Sequence, residues 1–230
     1  MKICVIGDIH GRNCWLDIIK REEENVDKII FLGDYLDSFD VSLEDQFNNF
    51  EEILNYKKSN FDKIELLLGN HEFHYLNKTK NYSGHSYITY LKFNDILEDL
   101  VNNDFLKVAY KSNDVLFTHA GLSKTWCIFN DINYDNTKLD EELNILFKKN
   151  RNLFDIQVPT SGYGDETYQG PLWIRPNSLI KDSTPHLHII GHTESKKVEY
   201  NSSYIKIDSL PYKYIIIETN SKEYEIKDVK

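Results

Sequence analysis

Five short apolar runs constrain this chain most, because each stops at a small residue or threonine followed by Asp, Asn or His. The runs are Ile3–Ile6, Lys28–Leu32, Ile64–Leu68, Val115–Thr118 and Leu187–Ile190. Each is too short for a helix and is closed by glycine or a polar residue, so each reads as a buried strand. Helical patterns lie between the first three: Trp15, Ile18 and Ile19, then Leu43, Phe47, Phe50, Ile53 and Leu54. Strand, helix, strand, helix, strand is the βαβ order of a parallel sheet. Two further helices are expected near Tyr87–Val101 and Leu139–Asn150. The tail reads as strands over Tyr204–Ile207, Tyr212–Glu218 and Glu223–Ile226, added to the central sheet or forming a second layer. The stretch 152–185 holds four of the five prolines and reads as an irregular specificity loop or small cap, anchored by Leu172-Trp173-Ile174. The 230 residues suit one domain spanning 1–230.

The strand ends carry the chemistry. In order they are Gly7-Asp8-Ile9-His10-Gly11, Gly33-Asp34-Tyr35-Leu36-Asp37, Gly69-Asn70-His71-Glu72, Thr118-His119-Ala120-Gly121 and Gly191-His192-Thr193-Glu194. Ligands of open α/β sheets bind beyond the carboxyl ends of the strands, so these five segments can converge on one site. Six of the ten glycines fall in them, as a crowded site needs. A lone Asp at a strand end is usually a turn or helix cap. Five such ends in one chain are much harder to attribute to caps.

Asp8, Asp34, His10, His119, His192 and Asn70 offer carboxylate, imidazole and amide donors without a thiolate. Mixed oxygen and nitrogen donors suit Mn²⁺, Fe or Zn²⁺. Six side chains are too many for one open catalytic ion and fit two ions about 3.5–4 Å apart, bridged by a carboxylate.

These residues resemble the calcineurin-like metallophosphoesterases: Asp8-x-His10, Gly33-Asp34-x-x-Asp37, Gly69-Asn70-His71-Glu72, His119-Ala120-Gly121 and Gly191-His192, in the expected order from Ile3 to His192. The Asn-His-Glu and His-Ala-Gly forms, with Leu172-Trp173-Ile174-Arg175-Pro176, are most similar to the phosphoprotein phosphatase branch. That branch includes bacterial and phage serine/threonine phosphatases and diadenosine tetraphosphatases. The resemblance implies an α/β fold, a four-layer α/β/β/α sandwich with a mixed central sheet. It implies Asp8, His10 and Asp34 on one metal, and Asp34, Asn70, His119 and His192 on the other. It implies His71 as general acid, Asp37 orienting its ring, and Arg175 on the substrate phosphate. The cofactor is then two divalent metal ions, Mn²⁺ first, with Fe, Zn²⁺ or Ni²⁺ as alternatives. The reaction is phosphomonoester hydrolysis by a hydroxide bridging the ions.

Two positions depart from the branch. Ser38 and Leu68 stand where its members usually carry arginine, so one phosphate-gripping arginine is missing. Arg12, just after the first motif, is the candidate substitute. The departure leaves three readings: a serine/threonine phosphatase-like enzyme, a hydrolase of dinucleoside polyphosphates or other nucleotides, and an inactive regulatory or binding module. The expected partner is a phosphorylated protein or a small phosphorylated metabolite or nucleotide.

The remaining composition narrows the setting. Lys and Arg number 27 against 37 Asp and Glu, a net charge of −10, which offers no whole-surface footprint for nucleic acid or anionic lipid. No stretch approaches the roughly 18 apolar residues of a membrane span. Cys4, Cys14 and Cys127 are odd in number and have no short-spaced pair, which fits a reducing cytoplasm. His74 and His85 are expected in a polar loop, His186 and His188 as structural residues, and Trp173 as a packing anchor. Glu22-Glu23-Glu24 is expected to be a solvated helix end and Glu194 a surface residue. Tyr35 and Tyr163 have the chemistry to touch a substrate.

Overall fold

The structure is a computed structural model that describes residues 1–77, 82–158 and 164–230. Tyr163 and part of the 152–185 loop therefore lie outside the described residues. Strands β1 (Lys2–Ile6), β2 (Lys28–Phe31) and β3 (Ile64–Leu67) alternate with helices α1 (Trp15–Glu22) and α2 (Leu43–Ser59). Helices α3 (Asn70–Leu76) and α4 (Tyr87–Asn102) follow, then β4 (Leu106–Lys107), β5 (Ala109–Ser112) and β6 (Val115–Thr118). Next come α5 (Lys124–Phe129), α6 (Leu139–Lys149) and α7 (Pro176–Asp182), and β7 (Leu187–Ile190). The tail forms β8 (Glu199–Tyr200), β9 (Tyr204–Lys206), β10 (Lys213–Glu218) and β11 (Glu223–Asp228).

These strands make two mixed sheets. One runs β11-β10-β1-β2-β3-β4 and the other β5-β6-β7-β9-β8. Strands β1 to β4 are mutually parallel, and β10 returns antiparallel to β1. In the second sheet β6, β7 and β9 are parallel. The tail thus does both things expected of it: β10 and β11 extend the first sheet, while β8 and β9 complete the second.

Strand alternation explains the layering. On β1, Ile3 and Val5 point into an apolar layer shared with Phe117, Ile189, Ile205 and Ile215 from both sheets. Cys4 and Ile6 point the other way, into a core with Trp15, Ile18 and Phe50 from the helices. Ile30 and Leu32 against Ile29 and Phe31 repeat the division on β2. The second sheet's outer face packs Ile190 and Tyr204 on Leu179 of α7. Helix, sheet, sheet, helix is the expected four-layer sandwich. Each fully buried Ile, Leu or Phe contributes about 1.5–3 kcal/mol of transfer free energy.

Two readings of side chains change. Glu22 is buried: its Oε1 accepts from the Tyr214 hydroxyl at 2.7 Å and from Lys227 Nζ at 3.1 Å, so it ties α1 to the tail instead of facing water. Tyr35 is fully buried and its hydroxyl donates to Leu67 O at 3.0 Å, so it is a core residue that cannot meet a substrate. The three cysteines are free. Among the described residues no helix is long and apolar enough to cross a membrane.

Candidate active site

The carboxyl ends of β1, β2 and β3 meet those of β6 and β7, and the residues that follow them crowd together. Backbone bonds lace the loops: the amides of Ile9 and His10 donate to Asp34 O, and Gly11 N donates to Tyr35 O at 2.9 Å. Glu72 holds the next pair of loops. Its carboxylate accepts from the backbone N–H groups of Asp34 (2.9 Å), Tyr35 (2.8 Å), Leu36 (3.1 Å) and Gly69 (3.1 Å). A tight buried loop must find partners for its N–H groups, and this one side chain from α3 supplies four acceptor contacts.

Backbone geometry is unusual here. His10 (φ 44°), Asp34 (φ 50°), Asp37 (φ 62°) and His192 (φ 65°) all occupy the left-handed region without being glycine. Two glycines make room for the carboxylates. A Cβ on Gly69 would lie 2.0 Å from Asp34 Oδ1, and one on Gly191 2.0 Å from Asp8 Oδ1.

The donor atoms converge. His119 Nε2 lies 3.3 Å from Asp34 Oδ2 and 2.8 Å from Asn70 Oδ1. His192 Nδ1 lies 2.9 Å from the same Asn70 oxygen, and His10 Nε2 3.7 Å from Asp34 Oδ2. Asp8, Asp34 and His119 form one cluster of mutually close ligand atoms, and His10, Asp34 and His71 another. Asp34 belongs to both.

The proton count of these rings tests whether cations fit. The Nδ1 atoms of His10 and His119 each lie 2.9 Å from a backbone carbonyl, of Leu36 and Leu32 respectively. A carbonyl only accepts, so each Nδ1 carries a proton and each ring turns Nε2 to the centre. His119 Nε2 faces the oxygens of Asp34 and Asn70, and it meets them either with a second proton, which burial opposes and the Asp34 carboxylate favours, or through a cation. His192 turns Nδ1 to the same Asn70 oxygen, and its Nε2 is buried without a hydrogen-bond partner among the described residues. A cation among His119 Nε2, His192 Nδ1, Asn70 Oδ1 and Asp34 Oδ2 takes a lone pair from each, so the residues fit a metal centre.

Electrostatics agree. Burial pushes Asp8 well above the usual carboxylate range, and the carboxylates of Asp208 and Asp34 add to the effect. For Asp34, burial is outweighed by the His119 and His71 imidazoles, which hold it well below that range. Burial, then His119 and Arg175, push His192 well down. Beside the cluster, His71 Nδ1 is 3.0 Å from Asp37 Oδ2. Burial opposes protonation of His71, but the Asp34 and Asp37 carboxylates outweigh it and raise the ring to about 9.

A cavity of about 350 Å³ opens on the cluster, lined by Asp8, His10, Asp34, Asn70, His71, His192, Trp173 and Arg175 among others. Arg175 Nη1 reaches Thr193 Oγ1 at 3.5 Å. An adjoining cavity of about 210 Å³ places Arg12 beside His10, Ser38 and His71, so Arg12 stands on the side where the branch's missing arginine would stand. Trp173 is both anchor and wall: its Nε1 donates to Phe154 O at 3.0 Å, and its ring is 4.7 Å from that of Tyr82. Glu194 is exposed, as expected, but lines both cavities.

The amino-acid sequence matches the calcineurin-like phosphoesterase family over residues 1–196. The chain belongs to the calcineurin-like phosphoesterases. Membership makes it a metal-dependent phosphoric ester hydrolase and implies a dinuclear divalent metal site. No curated protein sequence matches it. Among solved structures it is similar to a cold-active protein-tyrosine phosphatase of a Shewanella species (TM-score 0.61, 18% identity, covering 98% of this chain and 80% of that one). It is also similar to a Saccharomyces cerevisiae protein serine/threonine phosphatase described as resembling human PP5 (TM-score 0.55, 17% identity, 99% and 79% covered). A third is a metallophosphoesterase from Sphaerobacter thermophilus (TM-score 0.52, 15% identity, 100% and 89% covered). At these identities the likeness speaks for the fold.

Four residues escaped the sequence reading of this phosphoesterase. Glu72 lies inside the third motif, but its loop-holding role needs the fold. His74, expected in a polar loop, is buried in α3, one turn beyond His71. Tyr75 is buried beside it, with its hydroxyl donating to Asp37 Oδ1. Asp208 lines both cavities and is raised to about 6 by burial and then by Asp34. It follows Ile205-Lys206-Ile207, so a strand-then-Asp signal was present, without the glycine or threonine that marks the others.

Proposed function

We propose that the chain hydrolyses phosphomonoesters at this centre, with phosphoserine or phosphothreonine in proteins as the substrate class. The convergence of the His119, His192, Asn70 and Asp34 donor atoms beside His71 carries the metal-centre part of the reading. Asp8, His10 and Asp34 hold one cation; Asp34, Asn70, His119 and His192 hold the other, with Asp34 shared. Mn²⁺ suits the donor set best, since carboxylate, amide and imidazole are all present and thiolate is not. When bound, two such cations lower the pKa of water at the centre and draw charge off the phosphoryl oxygens.

The chain's own side chains do the rest. Arg175 in the cavity over the cluster and Arg12 in the adjoining one grip phosphate oxygens, a task for which the guanidinium fork is shaped. His71 holds a proton on Nε2 at neutral pH and gives it to the leaving oxygen. Asp37 stays ionised and fixes the ring through Nδ1. Burial raises the Asp37 carboxyl, but the His71, His74 and Tyr75 side chains around it outweigh that and keep it below the ordinary carboxylate value.

The test is direct. Protein reconstituted with Mn²⁺ is expected to bind two ions per chain by elemental analysis. It is expected to cleave a phosphoserine peptide and p-nitrophenyl phosphate in preference to diadenosine tetraphosphate and cyclic nucleotides. Preference for diadenosine tetraphosphate would replace the protein phosphatase reading by the nucleotide one. Metal binding without turnover of any ester would favour a binding module.

A further inference from the structure

We propose that His74 is a positioning residue for the Asp37–His71 pair, locking the carboxylate so that His71 meets the leaving oxygen. The inference rests on the reading of His71 as general acid. Helix α3 carries both histidines, three residues apart and hence on one face. Asp37 Oδ2 lies between their rings, 3.0 Å from His71 Nδ1 and 2.7 Å from His74 Nε2. The other oxygen, Oδ1, accepts the Tyr75 hydroxyl.

The His74 side chain is 0% exposed. Its contact with Asp37 falls outside good hydrogen-bond alignment, and neither ring nitrogen has a hydrogen-bond partner among the described residues. A buried imidazole must place an N–H on something, and the Asp37 carboxylate is the acceptor within reach. Asp37 in turn needs the support. It sits in a loop, in left-handed backbone, so its carboxylate is aimed by what touches it. A swing of about 1 Å in a group that aims a catalytic ring is enough to cost about 10²-fold in rate.

A role in aiming the acid differs from a role in packing by its dependence on the leaving group. An alkoxide needs the proton from His71 Nε2, whereas a dinitrophenolate leaves without it. Two variants keep the residue polar. In His74→Gln the amide nitrogen falls near the place of Nε2; in His74→Asn it falls near Nδ1 and no longer reaches Asp37. With two metals bound, His74→Asn is expected to lower kcat on a phosphoserine peptide by about 10–100-fold at unchanged KM. On 2,4-dinitrophenyl phosphate it should change kcat by less than about threefold, and His74→Gln should recover most of the loss on the peptide. Equal losses on both esters, or none, would overturn the proposal, as would His74→Gln behaving like His74→Asn. His71→Asn serves as the reference. If it too shows no leaving-group dependence, the reading of His71 as acid has failed, independently of His74.

Discussion

His71 and His188 are two largely buried imidazoles whose proton affinities are pushed in opposite directions. His71 is raised to about 9, because the Asp34 and Asp37 carboxylates outweigh its burial. His188 on β7 is pushed down to about 3 by burial, and then by the neighbouring His186. Its Nε2 meets the Thr184 hydroxyl at 3.1 Å, and its Nδ1 has no hydrogen-bond partner among the described residues. Burial therefore does not mark a histidine as functional; the charges that face it do. The strand ends supply carboxylates, and the opposite end of β7 supplies a hydroxyl.

The contrast is most severely tested at Asp34, which the two halves of the site share. Asp34→Asn is expected to lose turnover by more than any other single change and to bind fewer than two metal ions, read by elemental analysis alongside kcat. His71→Asn should follow, with a loss of about 10²–10⁴-fold on alkyl phosphates and both ions retained. Glu72→Gln keeps the shape but puts an amide N–H group where one carboxyl oxygen accepts from two backbone N–H groups, so metal affinity should fall by about 10–100-fold in a metal titration.

His188 tests the other side through stability. Its folded pKa lies below the unfolded value of about 6.5, so the unfolded chain takes up a proton that the folded chain refuses. Stability should thus fall as the pH drops from about 6.5 towards 3, by up to about 1.4 kcal/mol per pH unit, and be unaffected by this group above 6.5. Urea unfolding across that range should give a shallower slope for His188→Gln. The smallest effect belongs to His186→Gln, for which turnover at neutral pH should stay within about threefold of the parent. A large loss there would erase the distinction between the two groups of histidines.

Much of the site was legible because short strands end abruptly. Glycine or threonine followed by Asp, Asn or His marks where the backbone turns and a donor is delivered, and all six candidate metal ligands lie at such ends. The allocation of strands to two sheets was not legible. Ile3 and Ile30 look like Cys4 and Ile29 in sequence, and only packing tells which faces the other sheet. Strands β4 and β8 have two residues each, below the reach of any periodic pattern. His74 was misplaced because α3 has seven residues, too few to show helical periodicity. Glu22 was misread because Tyr214 and Lys227, which bury it, lie about 200 positions further along the chain.

The left-handed backbone at His10, Asp34, Asp37 and His192 has a cost that the fold carries permanently. Each such residue is disfavoured by about 1–3 kcal/mol relative to relaxed geometry. Replacing any of them by glycine would ease the local conformation while deleting a side chain that the site uses. Selection for heat resistance alone would therefore tend to erode this catalyst, because the cheapest gains in robustness sit where activity is made.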